Sequence, residues 1–152
     1  MSSQDRIERV IELKAPVSRV WRAITDHREF GEWFRVKLDQ PFVAGGRSTG
    51  HMTYPGYEHL PWLATVERLE PERYFSFRWR DFDEKSALPI SEQPTMLVEF
   101  FLEPIGGGTR VRIVESGFSS LSELRRIEVM RSNSQGWEIQ SNNLSVYVTD
   151  QP

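Results

Sequence analysis

From Glu115 to Val148 the sequence passes through Glu-Ser-Gly-Phe, a glycine stop, into a long run of helical periodicity. Leu124, Ile127, Met130, Trp137, Leu144 and Val148 recur at spacings of three, four and seven, which predicts one apolar stripe facing a core. The stripe is thin in the middle. Ser134 and Ser141 stand at helical spacing on either side of Trp137, with Gly136 and Gln140 flanking it. Protein interiors leave few voids, so a long buried face with a small, hydroxyl-bearing centre predicts space filled by something other than this chain. The same pattern also suits a plain core helix in which the serines bond back to the preceding turn and Gly136 relieves a close contact. Glycine inside a helix costs about 1 kcal/mol relative to alanine, and packing or a ligand has to offset it.

Upstream, Ile7 to Leu13 alternates imperfectly between apolar and charged residues, as a strand wetted on one side does. Ala15-Pro16 ends it, and Pro16 suits the first turn of a helix carrying Val17, Val20, Trp21 and Ile24. Thr25 or Asp26 then caps a second short helix with Phe30, Trp33 and Phe34. Val36 to Arg80 is β-like, with turns at Ala44-Gly45-Gly46, Pro55-Gly56 and Glu70-Pro71-Glu72. Phe75, Phe77 and Trp79 share one strand face, and Ser76, Arg78 and Arg80 the other. Residues 81–94 read as a long loop. Met96, Val98, Phe100 and Leu102 face one way in the next strand, and Gly106-Gly107-Gly108 turns the chain into a last strand from Thr109 to Gly117. The predicted order is β-α-α-β-β-β-β-β-α, an α+β domain in which a curved antiparallel sheet wraps a long C-terminal helix. No linker or repeat interrupts it, so residues 1–152 are expected to form a single domain.

Composition narrows the function classes. At 152 residues the chain can bury one substantial core. It has no cysteine, which removes disulfides and thiolate metal sites. With 19 basic against 22 acidic residues the net charge is −3, so nothing draws it to nucleic acid or an anionic membrane. Met1 to Arg6 lacks a basic stretch followed by an apolar run, and no segment has the length of a membrane span; a cytoplasmic protein is expected. His27, His51 and His59 fit no zinc spacing, and Gly106-Gly107-Gly108 lacks the Lys-Ser/Thr of a phosphate loop. No metal, nucleotide or other cofactor is expected. Arg125, Arg126 and Arg131, interleaved with Glu123 and Glu128, read as a solvated helix face.

Several local sequences together resemble the helix-grip superfamily of START, Bet v 1 and polyketide cyclase domains (SRPBCC), and most closely its activator of Hsp90 ATPase homologue 1-like branch. They are Ala15-Pro16-Val17 with Val20-Trp21, Thr25-Asp26, Glu32-Trp33-Phe34, Phe75-Ser76-Phe77-Arg78-Trp79, Gly107-Gly108-Thr109-Arg110-Val111, Glu115-Ser116-Gly117-Phe118 and Gly136-Trp137. The likeness spans nearly the whole chain. It implies a helix-grip fold with two short helices after strand one, but this fold hosts lipid carriers, hormone receptors, cyclases and co-chaperone modules alike. Members that stimulate Hsp90 are usually two-part proteins with a separate N-terminal domain, whereas this sequence opens on its first strand.

The expected site lies between sheet and C-terminal helix. Phe77, Trp79, Met96, Phe100 and Trp137 are its candidate walls, since a small-ligand site is an apolar pocket with a few polar groups. Trp33 and Phe34, with Phe42 nearby, are placed at its entrance. Ser134, Gln140 and Ser141 would orient a ligand. If Val111 and Ile113 face the helix, Glu115 faces it too; a carboxylate there either orients the ligand or serves as acid or base, or is tied at the mouth to Ser116, an arginine or the helix start. The leading expectation is a binder of a small hydrophobic or amphipathic molecule, lipids included. A cyclase- or hydratase-like enzyme using Glu115, and a protein-interaction module contacting a chaperone through the sheet or residues 81–94, are the alternatives.

Overall fold

A computed structural model describes residues 5–80 and 82–152; residues 1–4, part of the stretch read for a leader, and Asp81, the first residue of the predicted loop, lie outside the described residues. The chain runs β1 (Arg6–Leu13), α1 (Val17–Thr25), α2 (His27–Phe34), β2 (Val36–Leu38), β3 (Arg47–Met52), β4 (Pro61–Glu70), β5 (Tyr74–Arg80), β6 (Thr95–Ile105), β7 (Gly108–Ser116) and α3 (Glu123–Asp150). The strands form one antiparallel sheet in the order β1-β7-β6-β5-β4-β3-β2, with α3 against its inner face as the helix-grip reading expects. The predicted order counts one strand fewer than the seven observed, although the β-like stretch from Val36 to Arg80, cut at its three turns, already marks four, β2 to β5. The shortest of them is β2. Its pairing, from Val36 opposite Met52 to Leu38 opposite Gly50, depends on a glycine, because a Cβ at Gly50 would lie 2.0 Å from the Lys37 carbonyl oxygen.

Register lines up the inner face in rows. Ile7 pairs with Glu115, Glu115 with Val98, Val98 with Phe77 and Phe77 with Val66, so one carboxylate stands in an otherwise apolar row. Phe75, Phe77, Met96, Val98 and Phe100 are buried there, as their period-two spacing predicts.

The two short helices close one end of the sheet. Asp26 ends α1 and caps α2, accepting from the Arg28 and Glu29 backbone N–H groups at 2.9 and 3.1 Å. Its cap fixes the direction of α2, which buries Phe30, Trp33 and Phe34. The far end of α3 is clamped to the same helices: Arg19 Nε donates to the Gln151 carbonyl at 2.6 Å, Arg19 pairs with Glu29 at 2.8 Å, and the Tyr147 hydroxyl reaches Glu29 and Glu32 at 2.9 and 3.1 Å.

In α3 the predicted stripe holds from Met130 onward but fails in the first two turns. Leu124 and Ile127 are 73% and 49% exposed, and Val129 is buried instead. The first turns face a groove formed by Gln93, Met96 and Leu121, toward which Arg125 and Val129 are turned; Arg125 pairs with Asp83 at 3.7 Å. The segment read as a loop is knitted by a buried Gln93, whose side chain accepts from the Asp83 N–H and donates to the Asp83 and Leu88 carbonyls. Among the described residues no helix is long and apolar enough to cross a membrane.

Asp26→Ala should lower stability by about 1 kcal/mol through loss of the cap, read as a lower urea midpoint at unchanged slope. A pH effect follows from Tyr147. Burial, then its hydrogen bond to Glu29, raises its ionisation above the ordinary 10.0. The unfolded chain therefore loses this proton first, and the contribution is complete below pH 10 and lost as pH rises through the folded-state value. Between about pH 9 and about pH 11, stability of the parent protein should fall more steeply than that of Tyr147→Phe.

Candidate functional site

Where α3 crosses β4 and β5, a cavity of about 220 Å³ remains. Five aromatic residues line it: Phe82 just after β5, and four whose rings touch one another, Phe34 from the last turn of α2, Trp62 from β4, Trp79 from β5 and Trp137 from α3. Their rings meet edge to face or tilted, with Trp62 and Trp79 5.5 Å apart, Phe34 5.6 Å from Trp62 and 5.9 Å from Trp79, and Trp79 5.7 Å from Trp137. Met52, Leu60 and Phe82 extend the apolar wall, and Arg80, Asn133, Gly136 and Gln140 complete it.

Behind this wall sits Glu115, wholly buried. Its Oε2 accepts the Trp79 indole N–H at 2.7 Å, its Oε1 accepts the Trp137 indole N–H at 2.9 Å, and Asn133 Nδ2 donates to both oxygens at 3.1 and 3.2 Å. Indole and amide N–H groups are obligate donors, so the three converge on the acceptor-only form of a carboxylate. Glu115 thus joins one wall residue of the sheet to two of the helix. Trp62 is fixed separately, donating to the buried Ser48 hydroxyl at 2.9 Å.

Gln140 holds the α2 end in place: its Nε2 donates to the Phe34 carbonyl at 2.9 Å, and its Oε1 accepts from Asn143, which also donates to the Trp33 carbonyl. Gly136 has a different role. An added Cβ would meet nothing within 4 Å, so no close packing demands glycine here; the residue opens into the cavity.

Residues 14–149 match the family described as activator of Hsp90 ATPase homolog 1-like protein. The chain belongs to this family. Its fold, that of the helix-grip superfamily, recurs in solved structures that share little sequence with it. Protein MLL2253 from Mesorhizobium loti is 19% identical with a TM-score of 0.78, covering 97% of this chain and 98% of that one. Protein NE0264 from Nitrosomonas europaea is 19% identical with a TM-score of 0.77, covering 100% and 99%. CalU16 from Micromonospora echinospora is 23% identical with a TM-score of 0.66, covering 96% and 77%. No curated protein matches the chain.

Within this family fold the sequence candidates separate into three groups. Trp79, Trp137 and Gln140 line the cavity. Phe77, Met96 and Phe100 are core beneath it; Phe77 packs 5.8 Å from Trp79, and Phe100 lies 6.1 Å from Trp137. Trp33, Ser134 and Ser141 lie elsewhere. The Trp33 indole donates to the Ala23 carbonyl at 2.9 Å, and Phe42 packs on Phe30 and Phe75. Ser134 and Ser141 lie on the opposite flank of Trp137, toward β1: Arg9 donates to the Ser134 carbonyl, and Ser141 lines a groove with Arg9 to Leu13. Trp137 divides the helix face, with Asn133, Gly136 and Gln140 on the cavity side and the serines on the other.

Glu115 points inward as period-two geometry requires, and the Trp79 and Trp137 indoles and the Asn133 amide meet it there. Trp62, Asn133, Arg80 and Phe82 escaped the sequence reading. Asn133 carried a signal, lying one turn before Trp137 on a stripe position; Arg80 carried none, since alternation sets it opposite Trp79. His51 and His59 are exposed, His59 facing Glu84 at 3.3 Å.

Glu115→Gln tests the junction. A glutamine keeps one acceptor oxygen and turns an NH₂ toward one of the indole N–H groups, leaving buried donors unmatched at a cost of about 1–3 kcal/mol. Urea unfolding should show that loss together with altered tryptophan emission, whereas Ser134→Ala, outside the cavity, should stay within about 0.5 kcal/mol.

Proposed function

We propose that this protein binds a small hydrophobic or amphipathic ligand in the cavity between sheet and α3. The observation that carries the reading is the aromatic cavity itself, into which a helix residue presents no side chain. A helical glycine without a packing reason lowers stability by about 1 kcal/mol, and the space it leaves is bounded by three indoles and two phenyl rings.

Volume limits the ligand. A dry apolar cavity of about 150 Å³ accepts benzene, and drug-sized ligands occupy clefts of roughly 300–1,000 Å³. At about 220 Å³ this one suits one or two fused rings or a short branched chain rather than a two-chain lipid. Glu115 supports the role indirectly. Its carboxylate engages the wall residues from behind, which fixes the indoles in place and favours binding over a mechanism in which that acid meets a substrate.

The neutral bicyclic probe 2-naphthamide, titrated calorimetrically, should bind the parent protein with micromolar affinity. Gly136→Leu places a side chain in the cavity while Glu115 and the tryptophans stay as they are in the sequence, and should weaken the probe at least tenfold, which is about 1.4 kcal/mol, while leaving thermal stability equal or higher. Equal affinity in the two proteins would overturn the assignment of the cavity as the binding site.

A further inference from the structure

Arg80 is the one charged residue lining the cavity among the described residues. It ends β5, opposite Thr95 and directly after Trp79. The residue is half-buried, and its Nε is buried with no hydrogen-bond partner among the described residues. Several other arginines are matched, Arg19 and Arg22 by Glu29, Arg110 by Glu12 and Glu103, and Arg125 by Asp83, and among the described residues Arg80 is the arginine with a buried, unpartnered side-chain nitrogen. No described carboxylate forms such a pair with Arg80.

A guanidinium N–H removed from water without an acceptor is costly, and the cost disappears when an oxyanion supplies one. Guanidinium also matches a carboxylate better than any other side chain does, through parallel N–H donors. The side-chain amide N–H groups of the wall are already engaged, Gln140 with Phe34 and Asn133 with Glu115, and the Gln140 oxygen accepts from Asn143. The acid near the wall, Glu115, is met by three N–H donors. What is left at the cavity is apolar ring surface and one cation.

We infer that the ligand is a small anion of amphipathic build, a ring or compact hydrocarbon held among Phe34, Trp62, Trp79 and Trp137 with its carboxylate on Arg80. This rests on the ligand-binding reading above and names its chemical class. It also limits that class, because a ligand without an acidic group leaves Arg80 unmatched.

The test is a matched pair of probes, 2-naphthoate and 2-naphthamide, which share size and differ in charge at pH 7. Calorimetry on the parent protein should show the carboxylate at least tenfold tighter. Arg80→Gln should bring the two within about threefold, with an unchanged circular dichroism spectrum and cooperative urea unfolding showing that the variant is folded; Arg80→Lys should keep part of the preference. Gly136→Leu should weaken both probes, locating them in the same cavity. If the parent protein binds both equally, or if the preference persists in Arg80→Gln, the assignment to Arg80 is wrong and the cavity reading stands. If neither probe binds, both readings fall.

Discussion

Two indole N–H groups and an amide meeting on one buried carboxylate hold the middle of this structure together. Removing a charge from water costs several kcal/mol unless donors replace the lost hydration. Here the donors come from β5 and from two positions one turn apart on α3, so burying Glu115 and docking the helix are the same event. The carboxylate sits in a row of Ile7, Val98, Phe77 and Val66, where apolar contact alone would allow the helix to slide or rotate. Hydrogen bonds are directional. They set the rotation of α3 about its axis, and with it which residues face the cavity.

That rotation explains what sequence could and could not disclose. Fold class, the two short helices, the inner faces of β5 and β6 and the inward direction of Glu115 all follow from periods of two and 3.6, and from the capping chemistry of Asp26. The contents of the cavity do not, because they depend on an angle of a few tens of degrees. Ser134 and Gly136 lie two residues apart, roughly 160° around the helix axis, and so fall on opposite flanks of Trp137. One flank faces β1 and the other the cavity, and periodicity alone does not say which is which. Similarly, Leu124 and Ile127 continue the apolar period but are exposed, because the first turns of α3 present Arg125 and Val129 to the groove beside Met96. Trp62 and Arg80 belong to the site through the way neighbouring strands end, information that no local pattern holds.

Sheet and helix contribute different kinds of surface. The strands supply broad rings locked by cross-strand neighbours, while α3 supplies Asn133, Gly136 and Gln140 on successive turns. Changing a residue on the helix therefore alters the shape of the enclosed space without disturbing a strand register. A fold organised this way can be shared by proteins with about one residue in five in common, as the comparison with MLL2253 and NE0264 illustrates, because the scaffold depends on pattern and the enclosed space on particular side chains.

The order of residues along the chain adds a temporal dimension. A ribosome adds Trp79 and Glu115 before Asn133 and Trp137, so the carboxylate loses its hydration only after the last helix has emerged. A sheet without α3 would offer that carboxylate the Trp79 indole but neither Asn133 nor Trp137. The junction is therefore one that only the complete chain can make.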